Sequence, residues 1–247
     1  MRILSLGLLL LLGACSTSPL SAIPLEPRPA LASWAPSLHL ADNALAGGAP
    51  GLALQICDQL LARNPRNVSA LIRRGTALGT LGRGIEAASS FATALAIAPR
   101  DVNALLGLGR IRLQQDPAAA EALFAQGVTL DSRNAAALSD LGVARDLQGH
   151  HAAAQDAYRM ALGVNPTSSA VQVNLGLSLA LSGDTDGAVR LLQPLAATPA
   201  ATPRVRHDLA LALALGGRRE EAARVLGADL TPDQLRATLD GFEALRR

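Results

Sequence analysis

Small and apolar residues recur along the chain at a nearly fixed interval. The segments LIRRGTALGTLGRGIEAASSFATALAIAP, LLGLGRIRLQQDPAAAEALFAQGVTLDS, LSDLGVARDLQGHHAAAQDAYRMALGVNP and VQVNLGLSLALSGDTDGAVRLLQPL fall into one frame. A glycine returns at Gly75, Gly109, Gly142 and Gly176, in steps of 34, 33 and 34, and Ala210 takes its place after another 34 residues. A second series runs Gly82, Asp116, Gly149, Gly183, Gly217 and a third Ala87, Ala120, Ala154, Ala188, Ala222. The fourth is Phe91, Phe124, Tyr158, Leu192, Leu226. This pattern predicts a pair of helices per unit. Small residues of the first and third series let helix axes approach closely, the second series supplies the turn, and the fourth fills the gap between neighbouring layers.

Punctuation sets the boundaries. Pro65, Pro99 and Pro166 end the second helix of a unit, with Ser132 where a proline is expected. Asp116-Pro117 reads as an N-cap followed by proline at the first helical position, and one residue is missing there, which explains the 33-residue step. One period before Gly75 stands Ala41, so residues 37–65 form a degenerate first unit split at Gly47-Gly48-Ala49-Pro50-Gly51. After Leu195, AATPAATPR interrupts the pattern, and VRHDLALALALGGRREEAARVL makes a sixth pair. A last helix is expected after Thr231-Pro232, where it covers the apolar face that an array otherwise exposes at its end.

The period and residue types resemble the tetratricopeptide repeat. This resemblance implies an all-α right-handed superhelix over residues 37–247, with about six helix pairs and a capping helix. It also implies a concave groove, lined by the first helix of each pair, that holds protein segments. The positions expected to face it are Ser69, Ile72, Thr76, Asn103, Leu106 and Arg110, then Ser139, Val143 and Asp146, then Val173, Asn174, Leu177, His207 and Leu211. A lysine-based carboxylate clamp is not available, which leaves Arg110 and Asn103 for that task. A partner segment with an apolar stripe suits the lining better.

The chain opens with a different pattern. Residues 3–14 form an apolar run too short for a bilayer, which needs about 20 residues. Met1-Arg2, the leucines and the small residues after them match a secretory signal. Leu12-Gly13-Ala14-Cys15 resembles the bacterial lipobox, which implies a signal peptide over 1–14 and lipidation of Cys15. Ser16 after that cysteine implies release to the outer membrane of a Gram-negative envelope. Residues 15–36, with five prolines, are expected to be a non-helical tether.

Composition narrows the function classes. Apolar residues make up 49% and aromatics 2%, which suits Leu- and Ala-rich helices. A net charge of +2 is no footprint for nucleic acid. All 22 basic residues are arginine, which rules out a Walker-A loop, a Schiff-base lysine and a pyridoxal site. With Cys15 lipidated, Cys57 has no partner in the chain and is expected to fill a small buried space. His39, His150, His151 and His207 show no metal-ligand spacing, no nucleophile-elbow motif occurs, and GLGRIR lacks the third glycine of a dinucleotide fingerprint. These readings imply no enzyme activity, no cofactor and no metal.

The lipobox, the proline-rich tether and the repeats together resemble the TadD family of tight-adherence (Flp-type) pilus assembly lipoproteins. LGVARDLQGHHAAAQDAYRMAL, VNLGLSLALSGD and HDLALALALGGRREEAARVL followed by ADLTPDQL carry most of this likeness. It implies a scaffold that supports pilus assembly or secretion, with envelope components such as a secretin as protein partners. An adaptor for peptidoglycan hydrolases or for outer-membrane protein insertion stays open as the alternative. Arg74, where the repeat prefers Leu, and Ser132 depart from the pattern.

Overall fold

The computed structural model describes residues 34–245. Among them there are thirteen α-helices and no strand. Six pairs follow one another: α1 Trp34–Ala46 with α2 Pro50–Arg63, α3 Val68–Thr80 with α4 Gly84–Ile97, and α5 Val102–Arg112 with α6 Pro117–Leu130. Then come α7 Ala135–Asp146 with α8 His151–Val164, α9 Ser169–Leu181 with α10 Thr185–Ala196, and α11 Pro203–Leu215 with α12 Arg219–Leu226. The thirteenth, α13, runs from Pro232 to Ala244. The signal peptide, Cys15 and most of the expected tether lie outside the described residues. The tether's last three residues open α1, with Pro36 in its first turn, where a missing N–H leaves no hydrogen bond unmade.

The turns within pairs follow the second series. Gly82, Gly149, Gly183 and Gly217 have φ between +74° and +93°, the left-handed region that ends a helix cheaply only at glycine. In three of these turns the next residue's N–H reaches back to the carbonyl five residues earlier: Arg83 to Leu78, His150 to Arg145 and Arg218 to Leu213, at 2.8–3.0 Å. Asp116 has φ −146° and caps α6 instead, accepting from the Ala119 N–H at 2.9 Å. Between pairs, Asn67, Asp101 and Asn134 cap the next helix in the same way.

The glycine series exists because a ring or a leucine lies on it. A methyl group added at Gly75 would lie 2.7 Å from Phe91, at Gly109 2.5 Å from Phe124, at Gly142 2.4 Å from Tyr158, and at Gly176 2.6 Å from Leu192. Each large residue therefore covers first the glycine of its own pair, where the sequence predicted a plug between layers. Phe91 serves both purposes, since it also sits against Gly107 of the following unit. In the degenerate first unit Cys57 replaces the ring and Ala41 the glycine, both fully buried in one cluster. Burial pushes the Cys57 thiol up to about 11.

Arg74 stands where later units have the buried Leu108, Leu141, Leu175 and Leu209. Its guanidinium lies between α2 and α4, donating to Asp58 Oδ1 and Ser90 Oγ, both at 2.7 Å. Two polar partners from the flanking helices thus replace what apolar packing does elsewhere. At the other end α13 packs on α11 and α12, and Leu239 and Phe242 are buried in the largest apolar cluster with Leu209, Leu213 and Leu226. The cap expected from the sequence is present.

Candidate inner-face binding site

Each of α3, α5, α7 and α9 touches the odd-numbered helix before and after it, whereas no even-numbered helix touches another. The odd-numbered helices therefore form the inner layer, and their free faces make the groove in which the predicted residues must lie.

Five of those residues come together near the start of the array. Ile72, Thr76, Asn103, Leu106 and Arg110 surround an open cavity of about 320 Å³, which Asp42 and Arg73 close on one side. Arg73 grips Asp42 with two bonds of 2.6 and 2.7 Å across the α1–α3 junction, and also donates to the Ser69 carbonyl at 3.1 Å. Arg110 binds Asp140 on α7 at 2.8 Å, so the guanidinium the sequence offered for a carboxylate is already held by one. Burial pushes the Asp140 carboxyl above its ordinary value, while Arg110 pulls it down. Leu106 is 4% exposed; it is drawn into the layer over Gly127, where a methyl would stand 3.3 Å from it.

Ser139 and Val143 are half-buried on α7, and Asp146 at its end is a hub. Tyr158 donates its hydroxyl to Oδ2 at 2.9 Å, Ser178 on α9 donates to Oδ1 at 2.7 Å, and His151 Nδ1 lies 2.9 Å from Oδ1. Burial first, and then the Asp146 charge, push the Tyr158 hydroxyl far above its ordinary value, so it stays a donor. Asp146 thereby ties α7, α8 and α9 together rather than presenting a free carboxylate.

Further along, Val173 and Leu211 are buried at 5% and 6%, and Leu177 is half-buried against the same cluster. Asn174 accepts from Arg204 Nη2 at 2.9 Å. His207 meets the Phe242 ring edge-on, with centroids 5.0 Å apart, so the capping helix reaches a residue expected to face a ligand. Asp208 is 5% exposed and its Oδ2 has no hydrogen-bond partner; burial pushes its carboxyl up.

Sequence reasoning missed the residue two before the landmark glycine or alanine: Arg73, Asp140 and Asp208 all face inward there. A signal existed. Asp42 and Arg73 are 31 residues apart and Arg110 and Asp140 are 30 apart, so opposite charges stand about one period less three along the chain. Among the described residues, no group of three or more His, Cys, Asp or Glu is placed to hold a metal, and no helix is long and apolar enough to cross a membrane.

Comparison with known proteins places the fold. No family model matches the chain. Mouse FK506-binding protein-like is 40% identical over 76 residues, which are 31% of this chain and 22% of that protein. The human counterpart is 39% identical over 88 residues, 34% of this chain and 25% of that protein, so the chain spans about a quarter of these relatives' length. Among solved structures, PilW, a widely conserved type IV pilus biogenesis factor, superposes with a TM-score of 0.71 at 20% identity, over 83% of this chain and 97% of that one. PilF of Pseudomonas aeruginosa gives 0.70 at 18% identity, over 85% and 96%. A tetratricopeptide repeat protein of Parabacteroides merdae gives 0.64 at 16%, over 87% and 86%. At these identities the likeness establishes architecture: the chain has a tetratricopeptide-type helical-repeat fold.

Proposed function

We propose that this chain is a scaffold that holds segments of partner proteins along its inner face and supports assembly or secretion of a tight-adherence (Flp-type) pilus. In this reading it works at the periplasmic face of the outer membrane, anchored by lipid on Cys15. The observation that carries the scaffold reading is the inner layer of odd-numbered helices, whose free face opens into a cavity lined by Ile72, Thr76 and Asn103 from two successive units. The pilus reading draws support from near end-to-end superposition on PilW and PilF, together with the lipobox at 12–15 and the motifs of the carboxyl-terminal half. Partners of this kind are a secretin or another envelope protein.

Deleting the gene and imaging the cell surface tests it. The expected result is loss of pili with normal growth, restored by the wild-type gene. Pili that persist, with altered cell shape or outer-membrane permeability, would overturn the pilus role in favour of an adaptor for peptidoglycan hydrolases or outer-membrane insertion. Labelling with radioactive palmitate tests the anchor separately: Cys15→Ala is expected to abolish incorporation.

A further inference from the structure

At the junction between α10 and α11 a threonine takes the place that an aliphatic residue holds at the ends of α4, α6 and α8. Ile97, Leu130 and Val164 are the last residues of α4, α6 and α8, and Ile97 and Val164 pack between the helices around them. One period beyond Val164 stands Thr198. It is outside the helix, because α10, with Pro194 in its last turn, ends at Ala196. The Thr198 hydroxyl donates to the Leu195 carbonyl at 2.9 Å. Ile97, Val68 and Ile72 pack against one cluster that holds Ala104, and 101 residues further on the counterparts of Val68, Ile72 and Ala104 are Ser169, Val173 and Val205. All three of those line an open cavity of about 380 Å³, in the size range of small-ligand pockets. The cavity opens where an aliphatic plug would stand, and Ala170, Leu195 and the loop from Thr198 to Thr202 complete its wall.

Arg204 stands at the same cavity with its side chain 65% exposed. One of its nitrogens is held by Asn174 at 2.9 Å. Its nearest carboxylate, Asp208, is 3.6 Å from Nε, beyond a good hydrogen bond, and no acidic residue lines the cavity. The guanidinium therefore keeps donors and charge for a ligand, and a planar fork of this kind matches a carboxylate.

We infer that this cavity receives an apolar side chain of a partner polypeptide that carries a carboxylate next to it, the side chain replacing the missing plug and the carboxylate meeting Arg204. The inference rests on the scaffold reading and gives it a chemical specificity. The carboxylate comes either from the partner's carboxyl terminus or from an acidic side chain.

Three synthetic peptides separate these sources: an acetylated Gly-Ser-Gly-Ser-Leu-Phe with a free carboxyl terminus, the same peptide as its amide, and the amide extended by one Glu. Each is titrated against the purified full chain. We expect at least one carboxylate-bearing peptide to bind at least tenfold more tightly than the plain amide, and which one identifies the source. Arg204→Gln is expected to erase that preference, and Ala170→Trp, at an exposed position, to abolish binding with an unchanged thermal midpoint. Equal affinity for all three peptides, no binding, or binding that survives both Arg204→Gln and Ala170→Trp overturns the inference. Peptide binding that is lost instead on Arg110→Gln or Thr76→Trp would leave the scaffold reading standing while this pocket fails, and the pilus phenotype is decided independently.

Discussion

Asp146 and Asp208 sit on inner helices, α7 and α11, and both carboxylates are largely withdrawn from water, with side chains 16% and 8% exposed. Their surroundings differ. Asp146 receives Tyr158 from its own pair and Ser178 from the next, with His151 beside it. Asp208 has an unpartnered oxygen, with Arg204 Nε 3.6 Å and His207 Nδ1 3.8 Å away. A buried carboxylate supplied with donors ties three helices together; one without them is a local penalty the array carries. Whether a buried acid stabilises this fold is decided by what the neighbouring units place opposite it.

Asp146→Ala breaks that comparison most severely. It strands the hydroxyls of Tyr158 and Ser178, residues that are 1% and 0% exposed, and each stranded buried group costs about 1–3 kcal/mol. We expect a loss of about 2–5 kcal/mol, read as a lower urea midpoint, and substantial recovery when Tyr158→Phe and Ser178→Ala are added. Gly142→Ala attacks the hub through its packing: the new methyl would lie 2.4 Å from the Tyr158 ring and force it aside. About 1–3 kcal/mol of destabilisation is expected by thermal or chemical melting. Tyr158→Phe keeps the ring on its glycine and removes one hydrogen bond, for a loss of about 1 kcal/mol.

The smallest effect sharpens the comparison from the other side. Asp208→Asn removes a charge whose burial is opposed, so it should stabilise the protein at neutral pH, within about 1 kcal/mol. Because burial raises the Asp208 carboxyl, the native state holds its proton more tightly than the unfolded chain does. Wild-type stability therefore falls as pH rises from the ordinary carboxylate value through the raised native one. The gap between variant and wild type is expected to be greatest above that window and to close below about pH 3, where unfolded Asp is protonated as well. Melting both proteins across that range checks it; Arg204 and His207, which face the group, offset part of the burial in wild type and keep the difference small.

Much of the architecture was legible because it rests on short-range rules. A glycine in a left-handed turn, a proline at the first helical position and a cap three residues before a free N–H are local demands, and Gly82, Pro117, Asp116 and Thr231 meet them where the sequence placed them. The groove was only half legible. Spacing along one helix put Ile72, Thr76, Asn103, Leu106 and Arg110 around one cavity, yet it did not show that Leu106, Val173 and Leu211 are largely packed into the layer, at 4%, 5% and 6% exposure. Apolar residues at such positions follow whatever space the next unit leaves, and Gly127 leaves space for Leu106.

The sequence by itself determined that the chain folds as successive helix pairs and where each pair turns, because those features repeat every 33 or 34 residues and each is enforced within a few turns of chain. Only the tertiary structure decided that Arg110 is spent on Asp140, that Asp146 is an internal tie while Asp208 is left short of donors, and that a shortened α10 opens a cavity beside Arg204. The physical reason is one of range. Backbone demands are met by residues close in sequence, whereas a side chain's charge or volume is balanced by residues a full repeat away, whose approach is set by how one layer rests on the next.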